Sequence, residues 1–251
     1  VAGGKVYVAR IDKHTLHALD SRTGGKRWAF TAGGRIDSPP TVLDGSVLFG
    51  SRDGYVYCLR ADDGKLVWRY RVAPGQHQVV AFDQPESVWP VHGSVLYQDG
   101  TVYAAAGRSS YLDGGIRLVG LDPVSGALRC EKQVRDEHVG AIEPPEDAEK
   151  RDRRNSQNWM DYKTDLAPDR SSSFSMHGAR PEILVGDDDS VYMRNKRFDG
   201  KLEEMKKVLP HIFSTSELLD GWEHNRTYWG LGTGDFAGLP VAYPWIIKSR
   251  I

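Results

Sequence analysis

The first half of the chain reads as short runs in which apolar residues return at every second position. Val6 and Val8, then Leu16 and Ala18, alternate with other residues, the pattern of a half-buried strand. The runs stop at turn residues. In Asp20-Ser21-Arg22-Thr23-Gly24 the aspartate can cap nearby amides and the glycine accepts positive φ. Asp44-Gly45 and Asp99-Gly100 fall between apolar runs and predict tight hairpins. A different spacing appears later. Leu202, Met205, Val208 and Leu209 share one helical face and Pro210 follows them, so residues 200–209 are expected to form a short helix.

The strand pattern repeats. Leu16 to Trp28 returns as Val56 to Trp68, with the two tryptophans 40 residues apart, and again as Leu118 to Cys130. A shorter element precedes each copy: Lys5-Val6-Tyr7-Val8-Ala9, Ser46-Val47-Leu48-Phe49-Gly50 and Thr101-Val102-Tyr103-Ala104-Ala105. Ser190-Val191-Tyr192-Met193 starts a fourth, degenerate copy. Each unit is an antiparallel meander of about four strands, which cannot bury both faces alone and must stack on its neighbours. Radial stacking gives a β-propeller and leaves only short edges. A linear β-solenoid is the rival, but its repeats are usually ~20–29 residues long. Trp28, Trp68, Tyr57 and Tyr103 sit at repeat positions and are expected in the core, with the indoles filling seams between sheets.

These motifs, Val-Tyr, then Leu-x-Ala-Leu-Asp-x-x-Thr-Gly-x-x-x-Trp, then Ser-Pro-Pro-x-Val-x-Asp-Gly-x-Val, resemble the pyrroloquinoline-quinone-like (PQQ-like) repeat of bacterial proteins. They are carried by residues 6–28, 38–68 and 94–130. The resemblance implies an all-β fold, a β-propeller of four-stranded antiparallel blades, commonly eight per propeller. One departure is that Cys130 stands where a blade-ending tryptophan is expected, so the third seam should be packed less fully. Repeats are expected at about 5–30, 38–70, 94–133 and 178–210 of a single propeller region over 1–251, with insertions at about 73–91 and 135–175. That supplies four to five blades at most. The chain is therefore expected to be part of a larger propeller or multidomain protein, with a self-contained propeller of few blades as the alternative.

Composition narrows the function. A net charge of −1 and a pI near 6.8 argue against a broad nucleic-acid-binding surface. Mean hydropathy is −0.49, and no stretch approaches the ~20 apolar residues of a membrane span. Val1 to Arg10 do not read as a signal peptide. Residues 135–154 carry 12 charges of both signs, which reads as a solvated excursion.

Candidate chemistry follows from the topology. In a propeller, ligands sit near the mouth of the channel lined by the innermost strands. Asp37-Ser38-Pro39-Pro40, Pro90-Val91-His92-Gly93 and Met176-His177-Gly178 fall just before expected inner strands. Trp89, His92, Arg108, His177 and Arg226 are the ligand-binding candidates, imidazole and guanidinium supplying polar anchors and indole a stacking surface. The alternative role for His92 and His177 is to hydrogen-bond backbone groups and close the turn. For Arg226, within His224 to Trp229, the alternative is a surface ion pair. Two histidines without further partners do not make a zinc site.

The resemblance also implies what a quinoprotein dehydrogenase needs: an adjacent cysteine pair, a stacking tryptophan, and calcium held by carboxylate and amide oxygens beside a catalytic aspartate. Cys58 and Cys130 are 72 residues apart and cannot be that pair. Gly186-Asp187-Asp188-Asp189 reads as a hairpin turn rather than a calcium loop. No metal site, catalytic residue or cofactor is predicted, PQQ and calcium being disfavoured. The expected function is a non-catalytic scaffold or binding module, as one member of the family serves in outer-membrane assembly. Its partner is expected to be a protein or an attached domain, with a small ligand or glycan as the other candidate and no nucleic acid. A quinoprotein-like oxidoreductase with a site on the axis is the alternative, and a calcium or small-ligand sensor the third. The relatives' export in bacteria favours the periplasm or cell surface.

Overall fold

The computed structural model describes residues 1–81, 83–92, 94–110, 112–135, 181, 183–214 and 229–233. These residues form strands in consecutive antiparallel meanders. The first sheet has three strands, β1 (Lys5–Arg10), β2 (Thr15–Asp20) and β3 (Lys26–Thr31). The second has four: β4 (Thr41–Leu43), β5 (Ser46–Gly50), β6 (Tyr55–Arg60) and β7 (Leu66–Arg71). A two-stranded hairpin, β8 (Gln78–Ala81) and β9 (Gln84–Ser87), precedes the third sheet. The third sheet runs β10 (Leu96–Gln98), β11 (Thr101–Ala106), β12 (Ile116–Leu121) and β13 (Leu128–Val134). The fourth runs β14 (Val185–Asp187), β15 (Ser190–Met193), β16 (Lys196–Phe198) and β17 (Glu204–Met205), and β18 (His211–Ser214) pairs β19 (Trp229–Gly232). This is the all-β, four-stranded blade architecture of a β-propeller.

The Asp-Gly hairpins form as the sequence predicts. Asp44 and Gly45 have φ of 43° and 78°, and Asp99 and Gly100 have 48° and 75°, the two positive values that a two-residue hairpin with right-handed strand twist requires. The turns after β2 and β12 are built alike. Asp20 Oδ1 accepts the Arg22 and Thr23 amides and the Thr23 hydroxyl, and Asp122 Oδ1 accepts Val124, Ser125 and the Ser125 hydroxyl in the same way. In the second blade Arg60 replaces the aspartate and pairs with Asp63 instead.

The second and third sheets are buried on both faces because each packs between two others. Three hydrophobic clusters mark the three seams. Leu16, Ala18 and Trp28 of the first blade meet Val47, Phe49, Tyr57 and Leu59 of the second. Leu48, Cys58 and Trp68 meet Val102, Ala104, Val119 and Leu121 of the third. Tyr103, Ala105, Ile116 and Leu118 meet Val191, Met193, Phe198 and Leu202 of the fourth. Successive residues of β5 and β11 thus serve opposite seams, as the two-residue period of a strand dictates.

One row of side chains crosses each sheet at the seam. It runs Tyr7–Ala18–Trp28, Leu48–Cys58–Trp68 and Tyr103–Gly120–Cys130 through paired positions, with a register shift just after Ala18, Cys58 and Gly120. A small middle residue leaves room for the large terminal one. Trp28 donates from Nε1 to Ala61 O at 2.9 Å, and Trp68 donates to Pro123 O at 3.1 Å. Each indole lies under a turn glycine: a Cβ on Gly64 (φ +72°) or Gly126 (φ +72°) would stand 2.6 Å from the ring. In the third seam Cys130 is only partly buried. There Tyr103 reaches across, its hydroxyl donating to Gly200 O at 2.8 Å.

The expected helix over 200–209 does not form. Asp199 Oδ1 accepts the amides of Lys201 and Glu203 at 2.9 and 2.8 Å, which closes a turn. Glu204–Met205 then pairs with β16 as the outer strand. The aspartate-led turn of the first and third blades thus recurs here and overrides an apolar spacing that also fits a helix.

Candidate ligand site at one end of the blades

In a four-stranded meander the segment leading into the inner strand and the hairpin between the second and third strands lie at the same end of the blade. Here that end is stitched by backbone bonds between segments far apart in sequence. Arg52 N donates to Arg35 O at 2.9 Å, Ser87 N to Arg52 O at 2.8 Å, Val91 N to Ser51 O at 3.2 Å and Gly107 N to Pro90 O at 3.1 Å. The chain places charged side chains on this scaffold: Arg35 and Asp37 from the segment before β4, Arg52 from the β5–β6 turn, Glu86 from β9, His92 from the segment before β10, and Arg108 from the β11–β12 loop.

Glu86 is the centre of the group and is fully buried. Its Oε1 accepts from Arg35 Nε at 2.7 Å, and its Oε2 accepts from Arg52 Nη1 at 3.1 Å. Arg52 Nε in turn donates to Asp37 Oδ2 at 2.5 Å. Arg35, Arg52 and Asp37 are buried as well, and burying such charges is tolerable only because each is paired and hydrogen-bonded. Arg108 is the third guanidinium on the same carboxylate, with Nη2 3.6 Å from Oε2, and about a third of its side chain, 32%, is exposed. Its Nη2 also lies 3.5 Å from Ser87 O, while its Nε is buried with no partner among the described residues.

His92 lies beside it. Its Nε2 is 2.7 Å from Gly107 O. A carbonyl only accepts, so Nε2 carries the proton and Nδ1 presents a bare lone pair. Nδ1 is buried and has no partner among the described residues. Burial pushes the imidazole pKa down to about 4, reinforced by the positive charges of Arg52 and Arg108 and opposed by the Gly107 bond and Asp37, so the ring is neutral at pH 7. The hydrogen bond to Gly107 is the backbone-tying role foreseen as the alternative for this histidine.

Trp89 belongs to the base of the inserted hairpin. Its Nε1 donates to Asp113 O at 2.7 Å, and its ring stands 5.8 Å from that of His77. It thereby ties the hairpin to the β11–β12 loop that also carries Arg108. The structure thus gathers Trp89, His92 and Arg108 around one loop system. His177 and Arg226 lie outside the described residues, as does the insertion expected over 135–175 beyond Arg135.

Sequence reasoning missed Arg35, Arg52 and Glu86. A signal was present for one of them. Each blade puts an arginine at or just after the end of the equivalent strand, β1, β5, β11 and β15: Arg10, Arg52, Arg108 and Arg194. Arg10 pairs with Asp12 on the surface, whereas Arg52 and Arg194 are buried.

Among the described residues the two cysteines do not form the adjacent pair that the resemblance implies for a quinone site. Cys58 is buried in the second seam, while Cys130 lies at the third. Burial pushes both thiols up, away from the ready thiolate of a reactive cysteine. Among the described residues no group of three or more His, Cys, Asp or Glu side chains could hold a metal ion, and no helix is long and apolar enough to cross a membrane.

Fold and repeat together define a β-propeller of PQQ-like blades. The family described as outer membrane protein assembly factor BamB matches residues 1–158, and the chain belongs to that family. Quinohemoprotein alcohol dehydrogenase ADH IIB of Pseudomonas putida is 33% identical over 95 residues, which is 34% of this chain and 14% of that protein. BamB of Moranella endobia (strain PCIT) is 32% identical over 66 residues, 26% of this chain and 17% of its own. The chain thus spans less than a fifth of the length of either relative. Among solved structures, BamB from Moraxella catarrhalis is 23% identical with a TM-score of 0.39, covering 52% of this chain and 34% of its own. Quinohemoprotein alcohol dehydrogenase from Comamonas testosteroni is 23% identical with a TM-score of 0.44, covering 53% and 20%.

Proposed function

We propose that this chain is a non-catalytic scaffold or binding module of a larger bacterial protein. It contacts a partner or ligand through the loops at the end of the blades that carries Trp89, His92 and Arg108. The observation that carries this reading is the buried Arg35–Glu86–Arg52–Asp37 group, with Arg108 partly exposed at its edge. It ties the loops together through charge-assisted hydrogen bonds and offers recognition groups, with no cofactor cradle assembled among the described residues. A relative named as an assembly factor is in keeping with a scaffold and supports a site of action in the periplasm or at the cell surface.

The second reading, an oxidoreductase of the quinoprotein kind, is favoured by the 33% identity to an alcohol dehydrogenase and opposed by the separated cysteines. Dye-linked oxidation of alcohols by the purified full chain, with quinone and calcium added, separates the two. No turnover above the protein-free control is expected; robust turnover overturns the binding-module reading.

A further inference from the structure

The edge of the charged group holds two buried atoms of opposite hydrogen-bonding character, each without a partner among the described residues: the Nε–H donor of Arg108 and the Nδ1 acceptor of His92. Native proteins rarely leave such atoms unsatisfied. The two residues are neighbours through the backbone, because the carbonyl that fixes the His92 tautomer belongs to Gly107, immediately before Arg108. The charge of Arg108 also acts on the imidazole.

We propose that this corner binds a small 2-hydroxy carboxylate, its carboxylate on the Arg108 guanidinium and its hydroxyl donating to His92 Nδ1. The inference rests on the reading above, that this end of the blades binds. Three features select the chemistry. Glu86 already serves Arg35 through Oε1 and Arg52 through Oε2, and Arg108 stands at 3.6 Å, beyond hydrogen-bond distance. Its guanidinium therefore keeps donors for a ligand, and a planar fork favours a carboxylate. The neighbouring Glu86 and Asp37 carboxylates would repel a second negative charge, which selects a monoanion over a phosphate dianion. His92 is neutral and tautomerically fixed, so its Nδ1 needs a donor. A simple carboxylate has none, whereas a hydroxyl one carbon away supplies it.

The test is a titration of the 15N-labelled full chain with three probes: glycolate, acetate, which lacks the hydroxyl, and ethylene glycol, which lacks the charge. The readout is the His92 Nδ1 chemical shift by long-range proton–nitrogen correlation. Glycolate is expected to bind at least ~10-fold more tightly than either other probe, a preference matching one added hydrogen bond, and to move Nδ1 as an imidazole nitrogen that gains a donor. Arg108→Gln should weaken glycolate by a similar factor. His92→Phe should bring glycolate down to the level of acetate and leave acetate unchanged. Should that variant unfold, the wild-type Nδ1 shift still decides. Equal binding of glycolate and acetate, both dependent on Arg108, overturns the 2-hydroxy class and leaves the binding module standing. No response to any probe means that water fills the corner, which overturns the proposal. Oxidation of glycolate in the quinone and calcium assay would keep the ligand and overturn the module.

Discussion

The second and third seams solve one packing problem in two ways. Between the second and third blades, Trp68 fills the gap and donates to Pro123 O under the turn glycine Gly126. Between the third and fourth, Cys130 takes that position and keeps only a weak thiol contact to Gly200 O at 3.8 Å, while the short bond comes from the Tyr103 hydroxyl. The acceptor persists: Ala61, Pro123 and Gly200 each follow the residue that opens the turn in the next blade. The donor moves from the end of the side-chain row to its start. Gly120 makes this workable, since a Cβ there would stand 2.5 Å from Cys130 Sγ and 3.3 Å from the Tyr103 ring. The invariant element of the seam is thus a satisfied turn carbonyl, and the ring that satisfies it is exchangeable.

The contrast can be broken most directly by removing its largest group. Trp68→Ala should cost about 3–5 kcal/mol, as large-to-small core changes do, whereas Cys130→Ala should cost under about 1 kcal/mol; urea unfolding of both variants measures this. Equal losses would mean that the two seams are alike. Next in size, Gly126→Ala drives a methyl into the Trp68 ring at a φ of +72° and should cost about 1–3 kcal/mol. Gly200→Ala meets only the Tyr103 hydroxyl, at 3.6 Å, and should stay within ~0.5 kcal/mol.

Tyr103→Phe leaves the Gly200 carbonyl with only the weak, long Cys130 Sγ–H contact at 3.8 Å and should cost about 1 kcal/mol. No loss would show that the third seam does without the bond. The smallest expected effect is on pH. Hydrogen bonds from Ser125 and from Arg129 hold Asp122 down to about 2, from an ordinary 3.8. The unfolded chain therefore binds the proton first, so this contribution is complete above about pH 4 and is lost as pH falls through 2. Because Asp122 builds the turn that carries Pro123 O, near-ultraviolet dichroism of Trp68 should weaken across that window in the wild type. The pH dependence should flatten in Asp122→Asn.

The blades were legible because their signals are local. Asp-Gly pairs, aspartate-led turns and period-two alternation each act within a few residues, and all of them appear in the structure. The burial of Trp28, Trp68, Tyr57 and Tyr103 follows from the same repeat, as does the looser third seam. Residues 200–209 misled because an apolar spacing of three and four residues fits a helix, while the decisive bonds come from Asp199. The candidate site was only half legible. His92 and Arg108 stand out by type and place in the repeat. Glu86 is 51 residues from Arg35 and 34 from Arg52, and no local pattern pairs residues at such distances.

The inserted hairpin has a consequence for anyone who would pare this propeller to a minimal repeat. β8 and β9 look dispensable, for they extend no sheet and expose Val80. Yet β9 delivers Glu86, a buried carboxylate that Arg35 and Arg52 share. Cutting the hairpin out would take that shared carboxylate from two buried guanidiniums, leaving Arg52 its pair with Asp37, so a shortened variant would need the charge balance of this end redesigned along with the excision.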